Sequence, residues 1–233
     1  MLNPYDKLSR FYDIGWGDFS IQYLDLINEL LREHGIKQAR ILDIACGTGN
    51  LTLELAQQGH HVCGTDISSE MIDIAKKKAK GFSNLTYMVR DMTEAIYGSK
   101  FDMVTCTYDS INYLRRLRDV FRMLSGAASV LDTGGLFIFD SNTKYLYMKH
   151  ADELLKREIS GEKFLQQCSI NPVIILQQQL FLSPTERAKF IGSVRTVMKS
   201  YNRCWRRRDC TLCTCFHGLE DYHIPRIHQN FSV

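Results

Sequence analysis

The chain has no apolar run approaching the roughly 20 residues that a membrane-spanning helix needs, so a span is not expected. Its first ten residues lack the apolar segment of a secretory signal, and we expect a cytoplasmic protein. Cysteine is too sparse for a disulfide scaffold. There are 8 thiols in 233 residues, several of them (Cys46, Cys63, Cys106) inside apolar runs, which fits free thiols in a reducing compartment. Neither sign of charge dominates: 29 Lys+Arg face 26 Asp+Glu, and a net +3 does not by itself imply a nucleic-acid or membrane partner. No internal repeat and no long low-complexity stretch is present, which sets repeat arrays aside. What remains is 45% hydrophobic and 24% charged, the composition of an ordinary globular protein, at a length for one domain or one domain plus an insertion.

Apolar spacing predicts a helix over 18–34, where Ile21, Leu24, Ile27, Leu30 and Leu31 recur at helical intervals before Gly35. A regular alternation follows. Strands are predicted at 40–45, 62–66, 85–90, 101–107 and 136–140, and helices at 50–58, from Ser68/Ser69 to Ala79, and at 117–131. Five strands alternating with helices predict an α/β fold with a doubly wound, mostly parallel sheet covered on both faces. Ligands of such sheets bind beyond the carboxyl ends of the strands, the rim that carries Asp43 to Gly49, Asp66, Asp91, Tyr108-Asp109 and Asp140 to Thr143. After residue 150 the texture changes. Polar–apolar alternation predicts antiparallel strands at 162–170, 173–182 and 194–201, and a last pair at 211–217 and 227–233 returns to the main sheet. The expected division is a ligand-binding core over 1–145, an antiparallel β insertion over 146–201, and return strands over 202–233.

The chemistry-bearing motif is Leu42-Asp43-Ile44-Ala45-Cys46-Gly47-Thr48-Gly49-Asn50, a glycine turn between a strand and a helix. Glycine lets the backbone pass close to a ligand there. A dinucleotide site would continue to a third glycine at position 52, which is Thr52, and would hold a pyrophosphate at the helix N-terminus. The carboxylate of Asp43 at the end of the same strand would repel that anion. It suits instead a ligand with positive charge and no phosphate, and adenosylmethionine, with an ammonium and a sulfonium, fits.

On these residues the sequence resembles the class I S-adenosylmethionine-dependent methyltransferases, and is most similar to the small "methyltransferase domain" proteins of that class. The family's first motif is an acid followed by Gly-x-Gly-x-Gly, with Ala45 here at the first glycine. Its second acid, on the ribose hydroxyls, corresponds to Asp66 in Gly64-Thr65-Asp66-Ile67-Ser68, and its third, on the adenine amine, to Asp91, with Met92 on the ring. The segments 101–114 and 134–143 resemble the family closely, and Tyr5-Asp6-Lys7-Leu8 and Phe11-Tyr12-Asp13 resemble the stretch that folds over the cofactor. The match is good over 4–145, looser over 150–201 and poor over 202–210. The resemblance implies S-adenosyl-L-methionine held by Tyr12, Asp43, Ala45, Gly47, Gly49, Asn50, Asp66, Ile67, Met71, Asp91, Met92 and Thr107. It also implies in-line methyl transfer to a small-molecule N, O or C nucleophile. Tyr108, Asp109, Asp140 and Asn142 lie near the expected acceptor pocket, and Asp109, Asp140, His217 and His223 are the candidate general bases.

Other features are given plainer readings. Lys76-Lys77-Lys78-Ala79-Lys80 reads as the solvated face of a helix. The cluster Cys204, Cys210, Cys213, Cys215, His217, His223 and His228 reads as thiols gathered by chance, and no metal is expected. The run Arg203-Cys204-Trp205-Arg206-Arg207-Arg208 reads as an exposed basic turn; its rival is an RNA or protein methyltransferase that uses this patch. The interval 202–210 is too short and too polar for the covering helix of the family, which predicts a mobile C-terminal third and leaves a catalytically impaired cofactor-binding protein as the other alternative.

Overall fold

The computed structural model describes residues 4–94, 98, 100–114, 116–142, 154–159, 162–167 and 188–192. The chain opens with helix α1 (Pro4–Gly15) and a 3-10 turn at Ser20–Tyr23. It then alternates through α2 (Leu24–Glu33), β1 (Arg40–Ile44), α3 (Asn50–Gln57), β2 (His61–Asp66), α4 (Ser69–Lys78), β3 (Leu85–Val89), β4 (Phe101–Cys106), a second 3-10 turn at Ser110–Tyr113, α5 (Leu117–Val130) and β5 (Leu131–Phe139). Three further strands follow: β6 (Leu154–Ile159), β7 (Glu162–Gln167) and β8 (Ala188–Gly192).

Six strands form one sheet in the order β3-β2-β1-β4-β5-β8, every adjacent pair parallel. The order reverses between β1 and β4, so the chain leaves both strands toward a crevice at their carboxyl ends. Alternate side chains supply the two faces. Ile41, Met103, Leu136 and Ile138 pack with Ile27, Leu30 and Leu31 of α2, Leu51 and Leu55 of α3, and Ile72 and Ala75 of α4. Leu42, Val104, Cys106, Phe137 and Phe139 pack on the other face with Val120, Met123, Leu124 and Ala127 of α5. Burial on both faces explains why these strands read as continuous apolar runs. Ser68 caps α4 by accepting from the Met71 amide at 3.3 Å.

Several expectations change. The helix predicted over 18–34 is a 3-10 turn followed by the shorter α2, whose buried residues Ile27, Leu30 and Leu31 are the ones that carried the periodicity. β5 begins at Leu131 instead of 136: Leu131 pairs with Phe101, and a register shift places the extra residues around Gly134, at φ +79°, before pairing resumes at Met103 and Leu136. β7 falls within the strand predicted at 162–170, but its antiparallel partner is the unpredicted β6, and the two form a separate sheet. β8, also unpredicted, lies parallel to β5 at the sheet edge. The strands predicted at 173–182, 194–201, 211–217 and 227–233 and the interval 202–210 lie outside the described residues, as do the Arg203–Arg208 run, His217 and His223. No helix among the described residues is long and apolar enough to cross a membrane.

Candidate functional site

The glycine turn is a chain of left-handed residues between β1 and α3: Ala45 at φ +59°, Gly47 at +57° and Gly49 at +80°. The Gly49 amide donates to the Cys46 carbonyl at 3.0 Å and closes the turn, while the Cys46 amide donates to the Thr65 carbonyl of β2 at 2.9 Å. Gly49 has no room for a side chain, because a β-carbon would collide with the Tyr87 hydroxyl. That hydroxyl is shared with Thr52, so the residue standing at the third dinucleotide glycine serves the core packing of α3 on β3.

Acidic side chains gather around this turn. Asp43 is 2% exposed and accepts from the Thr105 hydroxyl at 2.7 Å. Burial pushes its carboxyl up to about 7, and the nearby charge of Asp66 adds to the rise. Asp66, at the end of β2, accepts from the Gly47 amide through Oδ2 and from the Ser68 amide through Oδ1, each at 2.9 Å. An ionised carboxylate offers about four acceptor positions, so one group can hold several donors at once. At the end of β3, Asp91 accepts twice from Thr93 through Oδ1, at 2.8 Å each.

The exits of β4 and β5 are bonded to each other. Tyr108 (φ +58°) and Asp109 (φ +50°) both take the left-handed region, a strained arrangement for residues with side chains. It is fixed by the Asp109 amide, which donates to Asp140 Oδ2 at 2.7 Å, and by Asn142 Nδ2, which donates to Asp109 Oδ2 at 2.7 Å. Burial pushes the Asp140 carboxyl up to about 6, against the lowering effect of the Asp109 amide. Three of the four acceptor-side candidates are thus one hydrogen-bonded unit. Thr107 is buried beside them, its carbonyl accepting from the Ser110 hydroxyl at 2.9 Å.

Helix α1 lies across this crevice as a strap. Tyr12 covers the turn, its Cε1 3.7 Å from where a β-carbon on Gly47 would sit. The Tyr12 ring stacks on Trp16 at 6.3 Å, Phe19 stacks on Tyr108 at 5.1 Å, and the Tyr5 and Tyr113 hydroxyls are hydrogen-bonded. Burial and the charges of Asp109 and Asp66 raise the Tyr12 hydroxyl, which places that ring among the same carboxylates.

The structure therefore gathers Tyr12, Asp43, Ala45, Gly47, Gly49 and Asp66 around one turn. Met71 instead fills the interior at 1% exposure, Ile67 is 55% exposed on the rim, and Met92 is partly buried against the α5-side core. Lys78 corrects the reading of the lysine run: it is an ion-pair partner of Asp13 at 2.9 Å, with only 25% of its side chain exposed, while Lys76, Lys77 and Lys80 face solvent. The signal was present, since Lys78 follows Met71 and Ala75 at i+7 and i+3 on the buried face of α4. Asp13 had no assigned role. Among the described residues no group of three or more His, Cys, Asp or Glu side chains could hold a metal ion.

Known proteins resemble this chain in sequence and fold. The family described as methyltransferase domain matches residues 41–135, from β1 to the start of β5. The putative methyltransferase YqeM of Bacillus subtilis is 34% identical over 110 residues, which is 47% of this chain and 44% of that protein. A ubiquinone biosynthesis O-methyltransferase of Coxiella burnetii is 29% identical over 157 residues, 61% of this chain and 65% of its own length. The chain thus spans less than two thirds of each of these curated relatives. The crystal structure of an S-adenosylmethionine-dependent methyltransferase from Clostridium acetobutylicum superposes with a TM-score of 0.57 at 30% identity, covering 67% of this chain and 65% of that one. With its sheet order and the matched domain running from β1 into β5, the chain carries a methyltransferase domain and the fold of S-adenosylmethionine-dependent methyltransferases.

Proposed function

We propose that the protein transfers the methyl group of S-adenosylmethionine to a small-molecule N, O or C nucleophile. The observation that carries this reading is the pair Asp43 and Asp66, brought to adjacent strand ends beside the left-handed turn, where each raises the cost of ionising its neighbourhood. A ligand with net positive charge and no phosphate relieves that repulsion; a pyrophosphate increases it. The residues fit adenosylmethionine. The carboxylate of Asp66, at the end of β2 beside the turn, suits the ribose hydroxyls, Asp91 suits the adenine amine with Met92 beside the ring, and the Gly47–Gly49 backbone admits close approach under Tyr12. The bound cofactor supplies an electrophilic methyl on its sulfonium.

The chain's own work is positioning and exclusion of water, which is worth up to about 7–11 kcal/mol in well-oriented reactions. The strap supplies the cover. The bonded unit of Asp109, Asp140 and Asn142 fixes the strand exits that face an acceptor, and Asp140, raised to about 6, is suited to take a proton from an acceptor that must lose one. The acceptor would sit between residues 108–114, 140–146 and the insertion at 162–201. The name of the Coxiella relative, an O-methyltransferase of ubiquinone biosynthesis, supports a small acceptor.

Calorimetric titration tests the cofactor. Adenosylmethionine and adenosylhomocysteine should bind and NAD should not. Asp66→Ala should weaken binding by roughly 2–4 kcal/mol, because it removes charge-assisted bonds to two hydroxyls. Unchanged affinity in that variant, or measurable NAD binding, refutes the assignment. Turnover on a panel of small amines, phenols and acids, compared with bulk RNA and protein, tests the acceptor class.

A further inference from the structure

We infer that Asp13 and Lys78 are positioning residues that fasten the carboxyl end of the α1 strap over the cofactor turn, so that breaking this polar clasp sets the rate at which cofactor product leaves. The inference rests on the cofactor reading given above.

The strap's apolar residues form a cluster of their own. Leu8 and Trp16 pack with Tyr5, Phe11, Tyr12 and Phe19, apart from the two clusters that line the sheet. Aromatic contacts tie parts of the strap to the segment after β4, with Phe19 stacked on Tyr108 and Tyr5 edge-on to Tyr113. At its carboxyl end the attachment is polar and converges on one side chain. Asp13 Oδ1 accepts from the Thr48 hydroxyl at 2.5 Å and from Asn50 Nδ2 at 3.0 Å, and Asp13 Oδ2 accepts from Lys78 Nζ at 2.9 Å. Thr48 belongs to the glycine turn, Asn50 begins α3, and Lys78 ends α4. One carboxylate thus joins the strap to three separate parts of the cofactor cradle.

The neighbouring groups tighten the arrangement. Asn50 Nδ2 also donates to the Gly17 carbonyl at 3.0 Å, and Lys78 Nζ donates to Asn50 Oδ1. Asn50 is thereby fully engaged by the strap and by Lys78. Gly17 must be glycine for the chain to pass, since a β-carbon there would come within 2.6 Å of the Asp13 carbonyl oxygen. Half-burial opposes ionisation of Asp13, but the hydrogen bonds from Thr48 and Lys78 outweigh it and hold the carboxyl below its ordinary range. The Asp13 carboxylate is ionised at neutral pH and immediately follows Tyr12, the ring that covers Gly47. Release of the clasp frees that ring. The Asp13 and Lys78 side chains are 40% and 25% exposed, so water and salt reach the pair and it can open without unfolding the sheet.

The test is stopped-flow displacement of adenosylhomocysteine from the full chain. Asp13→Ala should raise the dissociation rate about tenfold while association changes little, as expected for loss of several partly exposed charge-assisted bonds. Lys78→Met should raise it about two- to fivefold, the range of an exposed ion pair. The double variant should be no faster than Asp13→Ala alone, and Asp13→Lys with Lys78→Asp should recover part of the wild-type rate. Added salt should speed release from the wild type and barely affect Asp13→Ala. Melting without ligand should shift by less than about 4 °C in Lys78→Met, which separates a clasp from a general folding defect. Unchanged dissociation in both single variants, or independent additive effects, overturns the clasp. Should Asp13→Ala not fold, Lys78→Met and Asp13→Asn decide the question by their dissociation rates and salt dependence. Wild-type protein that fails to bind adenosylhomocysteine overturns instead the cofactor reading beneath the inference.

Discussion

Asp43 carries a measurable conflict between stability and binding. Its carboxyl is held in the folded protein at about 7 against an ordinary value of 3.8. At roughly 1.4 kcal/mol per pH unit, ionising it in place costs the fold about 4 kcal/mol. In Asp43→Asn the amide oxygen still accepts from the Thr105 hydroxyl, but a buried NH2 group loses its water at about 1–3 kcal/mol. The variant should therefore be more stable than wild type by about 1–3 kcal/mol at about pH 8. The sign follows from the protons bound. Between about pH 4 and pH 7 the folded Asp43 holds a proton that the unfolded one has lost, so wild-type stability declines as pH rises through this window. The advantage of the variant should grow across the window, level off above it, and reverse below about pH 4, where both states of wild type are protonated and only the cost of the buried amide remains. Asp140 titrates in part of the same range but is common to both proteins, so it cancels in the difference. Urea unfolding at a series of pH values reads the effect. A variant less stable than wild type at high pH, or a difference independent of pH, refutes the premise that Asp43 is a buried, reluctant carboxylate. Cofactor affinity should respond oppositely. A cation beside Asp43 favours its charged form, so wild-type affinity should rise with pH to about 7 and then level, while Asp43→Asn should bind more weakly and lack that rise.

Other substitutions probe the loops. Ala45→Gly should stabilise the fold by about 0.5–1 kcal/mol, seen as a higher urea midpoint, because Ala45 holds φ +59° where glycine is unstrained. Asn142→Ala removes the Nδ2 donor from a buried Asp109 carboxylate and should cost about 1–3 kcal/mol of stability, with turnover falling while cofactor affinity is nearly kept; equal loss of both would place Asn142 in the cofactor site.

Legibility varied with the kind of force at work. β1, β2 and β4 were readable because burial on both faces favours short, mostly apolar runs, and the strand-end acids Asp43 and Asp66 stood out against them. The start of β5 was misread because Gly134-Gly135 looks like a turn, yet Leu131 is already paired with Phe101 before the irregularity. β6, with Leu154, Leu155 and Ile159, has no two-residue period, and its pairing with β7 is a backbone register that composition does not encode. β8 is five residues long and is likewise held in register by its parallel neighbour β5. Lys78 was hidden by its company in a lysine run, and Asp13 by its place beside Tyr12, because a clasp between distant segments leaves no local pattern.

The unfavourable terms of this structure are concentrated at one end. The described non-glycine residues with positive φ are Ala45, Tyr108 and Asp109, and all three lie on loops leaving the carboxyl ends of β1 and β4. Two carboxyls pushed well up by burial, Asp43 near 7 and Asp140 near 6, lie at the same rim. Behind them Ile41, Leu42, Met103, Val104, Leu136 and Phe137 are fully buried and free of charge. A rim of like charges and strained backbone persists only where such a core overdetermines it. A bound cation relieves the charge repulsion, so ligand binding and rim stability draw on the same interactions. Ligand-dependent stabilisation should accordingly be greatest above about pH 7, where Asp43 is ionised and the unliganded rim is at its least stable. A melting shift from adenosylmethionine that is larger at about pH 5 than at about pH 8 would contradict this account of the crevice.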